Sequence, residues 1–204
     1  MIPSIKEYCN ALVNDFQSIK AERKLLLKQI ADFIQTKKNK DEPIYLVYVC
    51  THNSRRSHFG QVWAQVAACY YNVKNVKTFS GGTEATAFNA NAINALKRVG
   101  FSITSDSQAS NPLYHVVFDE QQKPIECFSK VYNHEANPSS SFAAVMTCSD
   151  ADENCPFIPG VELRIGTTYE DPKAFDNTPQ QDEMYDLRCK QIALECLYVF
   201  SLIN

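Results

Sequence analysis

The feature that most constrains this chain is Ile44-Tyr45-Leu46-Val47-Tyr48-Val49, a run of aliphatic, β-branched and aromatic residues followed by a polar loop and a helical pattern. A strand with no polar alternation is one covered on both faces, and such strands belong to parallel sheets. The pattern then repeats. His58 to about Tyr71 reads as a helix and Val76 to Ser80 as a second strand, stopped by Gly81-Gly82. Asn89 to Val99 reads as a helix closed by Gly100, and Phe142 to Thr147 as another buried strand. Glu183 to Ile203 supplies a closing helix. Strand–helix alternation predicts an α/β fold, a three-layer sandwich around a central, mainly parallel twisted sheet.

Two segments fall outside that alternation. Residues 4 to about 38 carry apolar residues at helical spacing, with a break near Ala21-Glu22-Arg23 and a charged, proline-ended stop at Lys37 to Pro43. This predicts an N-terminal helical extension over 1–42, packed on a main domain over 43–204. Leu113 to Phe118 and Ile125 to Tyr132 flank Asp119-Glu120-Gln121-Gln122-Lys123-Pro124, the pattern of a β-hairpin with a longer loop, inserted at about 111–138.

With 204 residues, 45% hydrophobic and 21% charged, the chain can bury a sizeable core. A net charge of -3 does not suggest a nucleic-acid-binding face, and no apolar run is long enough to span a bilayer. The start of the chain lacks the layout of a signal peptide, so a cytoplasmic protein is expected. Its eight cysteines would then be reduced thiols. Cys69, Cys189 and Cys196 lie in apolar helical patterns and read as core; Cys9 and Cys127 lie in the two additions with no assignable role. His58 reads as a helix-surface residue, and His115 and His134 have no ligand-like neighbours.

The loop after the first strand is Cys50-Thr51-His52-Asn53-Ser54-Arg55-Arg56-Ser57. In open α/β folds ligands bind at the carboxyl ends of strands. A tight loop entering a helix aims backbone N–H groups at one point, and the helix N-terminus adds positive charge. That suits a tetrahedral oxyanion, which Arg56 can grip bidentately, and the same field favours a thiolate at Cys50. The spacing of Cys50 and Arg56 alone is weak; the strand before, the helix after and the lack of negative charge carry the reading.

This loop resembles the phosphate-binding loop of the low-molecular-weight tyrosine phosphatase superfamily, usually Cys-Thr-Gly-Asn-x-Cys-Arg-Ser. The resemblance implies Cys50 as nucleophile, Arg56 as oxyanion ligand, Asn53 as the residue shaping the loop and Ser57 as stabiliser of the thiolate. Thr51, His52, Ser54 and Arg55 complete the oxyanion-binding loop. His52 stands where glycine is usual, and Arg55, where cysteine is usual, adds a second positive charge near the anion. Asp171, before Pro172, matches the superfamily's general acid, although Lys173-Ala174-Phe175 follows it instead of the tyrosines frequent in phosphatases. Ser80-Gly81-Gly82-Thr83-Glu84 resembles a further superfamily segment, with a structural role expected.

Cys148-Ser149-Asp150-Ala151-Asp152-Glu153-Asn154-Cys155-Pro156 follows the third buried strand. On residues alone it could hold incidental thiols or a redox pair; its spacing is not that of a zinc finger, and no metal site is expected. It closely resembles the Cys-Ser-Asp-Ala-Asp-x-x-Cys-Pro motif of thioredoxin-coupled arsenate reductases, which share the phosphatase fold. The resemblance implies reduction of arsenate to arsenite through Cys50, Cys148 and Cys155, with an arsenate or phosphate-like oxyanion as substrate, thioredoxin or a similar thiol as reductant, and no cofactor. The alternatives are a protein tyrosine phosphatase using Cys50, Arg56 and Asp171, with Cys148 and Cys155 as redox protection, and a non-catalytic oxyanion or arsenical sensor.

Overall fold

The computed structural model describes residues 1–154 and 158–204. Four parallel strands form the central sheet: β1 (Ile44–Cys50), β2 (Val76–Gly82), β6 (Phe142–Met146) and β7 (Val161–Gly166), in the order β2-β1-β6-β7. β1 is central, and all seven of its residues are wholly or largely buried, as a strand without polar alternation requires. α3 (Arg56–Tyr70) follows β1, α4 (Ala90–Val99) follows β2, and the short α5 (Ser149–Asn154) follows β6. Gly100 ends α4 in the left-handed conformation, φ 117°, the C-cap the sequence indicates.

One face of β1, through Leu46 and Tyr48, packs into the larger core with α3 and α6 (Gln181–Ser201); Val47 and Val49 face a smaller core closed by Ala151 of α5 and Ile158. The result is the expected three-layer sandwich. α1 (Pro3–Val13) and α2 (Ala21–Asn39) meet α6 and share the larger core through Ile5, Leu12, Leu27, Ile30 and Ile34. The break between them falls at residues 14–20, a few positions before the expected one.

Two strands are additions to the sequence reading. β7 follows a period-two pattern, Val161, Leu163 and Ile165 with polar residues between, and short half-polar strands give a faint signal. β3 (Ser102–Ser105) joins β4 (Tyr114–Val117) and β5 (Ile125–Cys127) in a separate antiparallel sheet, so the expected hairpin gains a third strand. β5 stops at Cys127 rather than near Tyr132, because residues 129–132 leave it to bond with the end of β2: Gly82 N–H donates to Lys130 O (2.9 Å) and Tyr132 N–H to Gly82 O (2.9 Å). Among the described residues no helix is long and apolar enough to cross a membrane.

Candidate active site

The parallel register aligns the ends of three strands: Cys50 lies opposite Gly82, and Val49 opposite Met146. Thr147 then fastens to the central strand, its N–H and its Oγ1 both donating to Val49 O (2.7 and 2.9 Å). Cys50 thus ends β1 and Cys148 begins the connection after the neighbouring strand. Thr51 Oγ1 lies 3.4 Å from Cys148 Sγ, so the second thiol abuts the loop that begins with the first. Cys155 lies outside the described residues.

The loop is shaped by Asn53 and Ser57. Asn53 holds a left-handed backbone (φ 43°), which asparagine tolerates better than most residues. Its Nδ2 donates to Ser57 Oγ (2.9 Å), and its Oδ1 accepts from the Lys130 backbone N–H (2.9 Å). Ser57 Oγ is in turn 3.1 Å from Cys50 Sγ. The unusual backbone therefore falls on Asn53 and not on His52, and His52 needs no glycine there. The His52 ring is half-exposed, 3.7 Å from Glu84, while its carbonyl accepts from Ser129 Oγ (3.0 Å) and Thr86 Oγ1 (3.0 Å). Ser54 Oγ donates to Ala87 O (2.8 Å). Gly82 lies so close behind the loop that a Cβ would come within 2.6 Å of Thr51 O and 2.7 Å of Asn53 N.

No side chain caps α3, whose first residue is Arg56, two before the expected start, so its leading N–H groups carry the helix's positive end toward the loop. Arg56 is buried. Its Nη2 donates to Asp171 Oδ2 (2.6 Å) and its Nη1 to Tyr169 O (2.8 Å), while its Nε has no partner among the described residues. Asp171 Oδ1 accepts from Lys173 N–H (3.0 Å), capping the 3-10 turn Pro172–Phe175. An arriving oxyanion therefore competes with Asp171 for the guanidinium. A polar cavity of about 400 Å³ joins Arg56, Cys148, Asp171 and Arg188.

Two expectations are corrected here. The Arg55 guanidinium is taken up by α6 and the turn before it: Nε donates to Tyr185 OH (2.7 Å) and Nη2 lies 3.4 Å from Asp176 Oδ2, so its charge is already paired. Burial, then the hydrogen bond to Asp176, pushes the Tyr185 phenol up to about 12. His58 is not a surface residue; it is fully buried, stacked on Phe88 at 4.0 Å, with Nδ1 3.2 Å from Ser80 Oγ. Burial holds its pKa well below the usual value, so the ring stays neutral.

Sequence reasoning missed Ser129, Lys130, Tyr169 and Arg188, which hold or line the site from distant segments. Only their contacts mark them; Tyr169 stands two residues before Asp171, and the other three sit in no motif. Burial pushes the thiols of Cys9, Cys127, Cys189 and Cys196 up to about 12 and that of Cys69 upward as well, leaving them protonated at neutral pH.

No family model matches the chain. An arsenate reductase from Staphylococcus aureus (strain Newman) is 30% identical over 131 residues, covering 62% of this chain and 77% of that protein. The chain belongs to the arsenate reductase family. Arsenate reductase 2 of Staphylococcus epidermidis is 28% identical over 128 residues, with the same coverage. Among solved structures, an arsenate reductase in the phosphate binding state superposes with a TM-score of 0.53 at 17% identity, over 79% of this chain and 99% of that one. A low-molecular-weight phosphotyrosine phosphatase from Vibrio cholerae O395 also gives 0.53, at 13% identity over 78% and 95%. These neighbours establish the low-molecular-weight phosphatase fold.

Proposed function

We propose that this protein reduces arsenate to arsenite, with Cys50 as nucleophile, Arg56 and the backbone of residues 51–57 as the oxyanion cradle, and Asp171 as general acid. The observation that carries the reading is Cys148, whose Sγ abuts Thr51 of the loop (3.4 Å) and lines the same cavity as Arg56 and Asp171. In a phosphatase a second thiol there would serve only to protect the nucleophile by a reversible disulfide, whereas in the reductase it is the group that releases arsenite.

Arsenate enters the loop and replaces Asp171 on the Arg56 guanidinium, freeing that carboxyl to act as an acid. The Cys50 thiolate attacks arsenic, and one oxygen departs as water after protonation by Asp171. The Cys148 thiolate then attacks Cys50 Sγ. The S–As bond breaks with its electron pair left on arsenic, which falls from the pentavalent to the trivalent state, and arsenite leaves as the Cys50–Cys148 disulfide forms. Cys155 attacks Cys148, and thioredoxin or a similar dithiol in a reducing compartment reduces the final Cys148–Cys155 disulfide. Residues 43–204 form the catalytic domain in this scheme, and 1–42 a helical extension supporting it.

Arsenate-dependent NADPH oxidation with thioredoxin and thioredoxin reductase tests the scheme. Sustained turnover is expected for the native protein, none for Cys50→Ser, and no more than a single turnover for Cys148→Ser. Undiminished cycling in Cys148→Ser would overturn the relay. Hydrolysis of an aryl phosphate without arsenate turnover would replace the reductase with a phosphatase.

A further inference from the structure

The polar cavity of about 400 Å³ beside Arg56 holds one cation that the scheme above does not use. Arg188 lies on α6, one turn after Tyr185, which holds Arg55 of the loop (2.7 Å), so this face of the helix runs past the site. Arg188 is 8% exposed and lines the cavity together with Arg56, Cys148 and Asp171. Its Nη1 donates to Gln191 Oε1 in the next turn of α6, and its Nε has no partner among the described residues. Nor does it form an ion pair among them. Asp171 is on Arg56, Glu195 is held by Arg23 and Tyr169, and Glu170, the carboxylate that acts on Arg188 most, is exposed.

Two buried guanidiniums thus share one cavity, and only one has a counter-charge. Burial lowers the Arg188 pKa, Glu170 opposes that fall and Arg56 adds to it, yet a guanidinium keeps its charge at neutral pH. A buried cation beside another cation costs stability, and an anion between them relieves both. The in-line course of the reaction says which part of the anion Arg188 meets. Three oxygens of a tetrahedral oxyanion face the loop N–H groups and Arg56. The fourth, opposite the attacking Cys50 sulfur, is the one Asp171 protonates, and so it lies in the cavity that Asp171 and Arg188 line. In inorganic arsenate or phosphate this oxygen is a free acceptor. In a phosphate monoester it carries the organic group.

We propose that Arg188 is a second oxyanion ligand, donating to that fourth oxygen, and that it selects free inorganic oxyanions over phosphate monoesters. The proposal rests on the reading of residues 50–57 as the oxyanion cradle. The loop meets the three oxygens that arsenate and an aryl phosphate have in common; Arg188 meets the one in which they differ.

The test is calorimetric binding of inorganic phosphate and phenyl phosphate to the full chain carrying Cys50→Ala, which cannot turn either probe over. With Arg188→Met added, affinity for inorganic phosphate should fall roughly tenfold, the loss of one charge-assisted hydrogen bond, and that for phenyl phosphate by no more than about threefold. The ratio of the two affinities is the readout, because a merely loosened site would weaken both probes alike. Equal losses, or none, would overturn the proposal and leave the loop reading standing. Absence of phosphate binding before Arg188 is changed would instead remove the loop reading, and the proposal with it. Should Arg188→Met fail to fold, Arg188→Gln, which loses the charge and keeps the polarity, is read by the same ratio.

Discussion

At the scale of single residues, the site depends on groups placed where they cost stability. Lys130 is one. At neutral pH its buried ammonium opposes folding by about 3 kcal/mol, the equivalent of lowering its pKa from the ordinary 10.5 to about 8. Between those two values the unfolded chain holds the proton and the folded chain does not, so this contribution to stability rises with pH across the window. Lys130→Met should therefore be more stable than the native protein at pH 7, with the difference gone by about pH 10.5. Denaturant melts of both proteins at several pH values measure it, and a constant difference would contradict the burial argument. Gly82 is another such position. A Cβ there would lie 2.4 Å from Glu84 O, 2.6 Å from Thr51 O and 2.7 Å from Asn53 N, all backbone atoms with little room to give. Gly82→Ala should keep its circular dichroism spectrum while affinity for inorganic phosphate, read by calorimetry, falls by roughly tenfold. The motif residues Cys50, Asn53, Arg56 and Ser57 were legible in sequence because they lie on one short loop. Arg55 and His58 were misjudged because their partners, Tyr185, Asp176, Phe88 and Ser80, come from other elements.

At the scale of elements, α2 reaches the site through one side chain. Arg23 donates from Nε and Nη2 to the Glu195 carboxylate (3.0 and 2.8 Å) and from Nη2 to Thr167 O (3.1 Å). Tyr169 OH donates to the same carboxylate (2.7 Å), and Tyr169 O receives Arg56. A contiguous set of bonds thus joins α2, α6 and Arg56. Arg23→Ala would strand the buried Glu195 carboxylate and should lower stability by about 3 kcal/mol. Phosphate affinity should weaken as well, because the segment carrying Tyr169 and Asp171 loses its anchor; unchanged affinity would confine Arg23 to a purely structural part. The helices themselves were readable from spacing, since amphipathic periodicity is a local property. What they pack against was not, and neither was β7, whose alternation is half polar.

At the scale of the whole molecule, Trp63 offers a single reporter. It is the only tryptophan, fully buried, with Tyr8 of α1 stacked on it at 5.5 Å, Phe101 edge-on at 5.3 Å and Nε1 donating to Cys189 Sγ of α6 (3.2 Å). Elements from both ends of the chain therefore meet at one indole. Thermal unfolding followed by its fluorescence should coincide with that followed by far-ultraviolet circular dichroism, as one cooperative transition. An earlier fluorescence change would mean that α1 leaves independently.

The ion pair between Arg56 and Asp171 also has a consequence in time. Its two members are 115 residues apart in the chain. At about 5–20 residues per second, roughly ten seconds of synthesis separate them. Throughout that interval the nascent polypeptide carries Cys50 and Arg56 without Asp171, and Lys130, whose N–H holds Asn53 Oδ1, arrives only part-way through it. Each newly made molecule therefore passes through a period in which the Arg56 guanidinium has yet to meet the carboxylate that pairs with it in the finished fold.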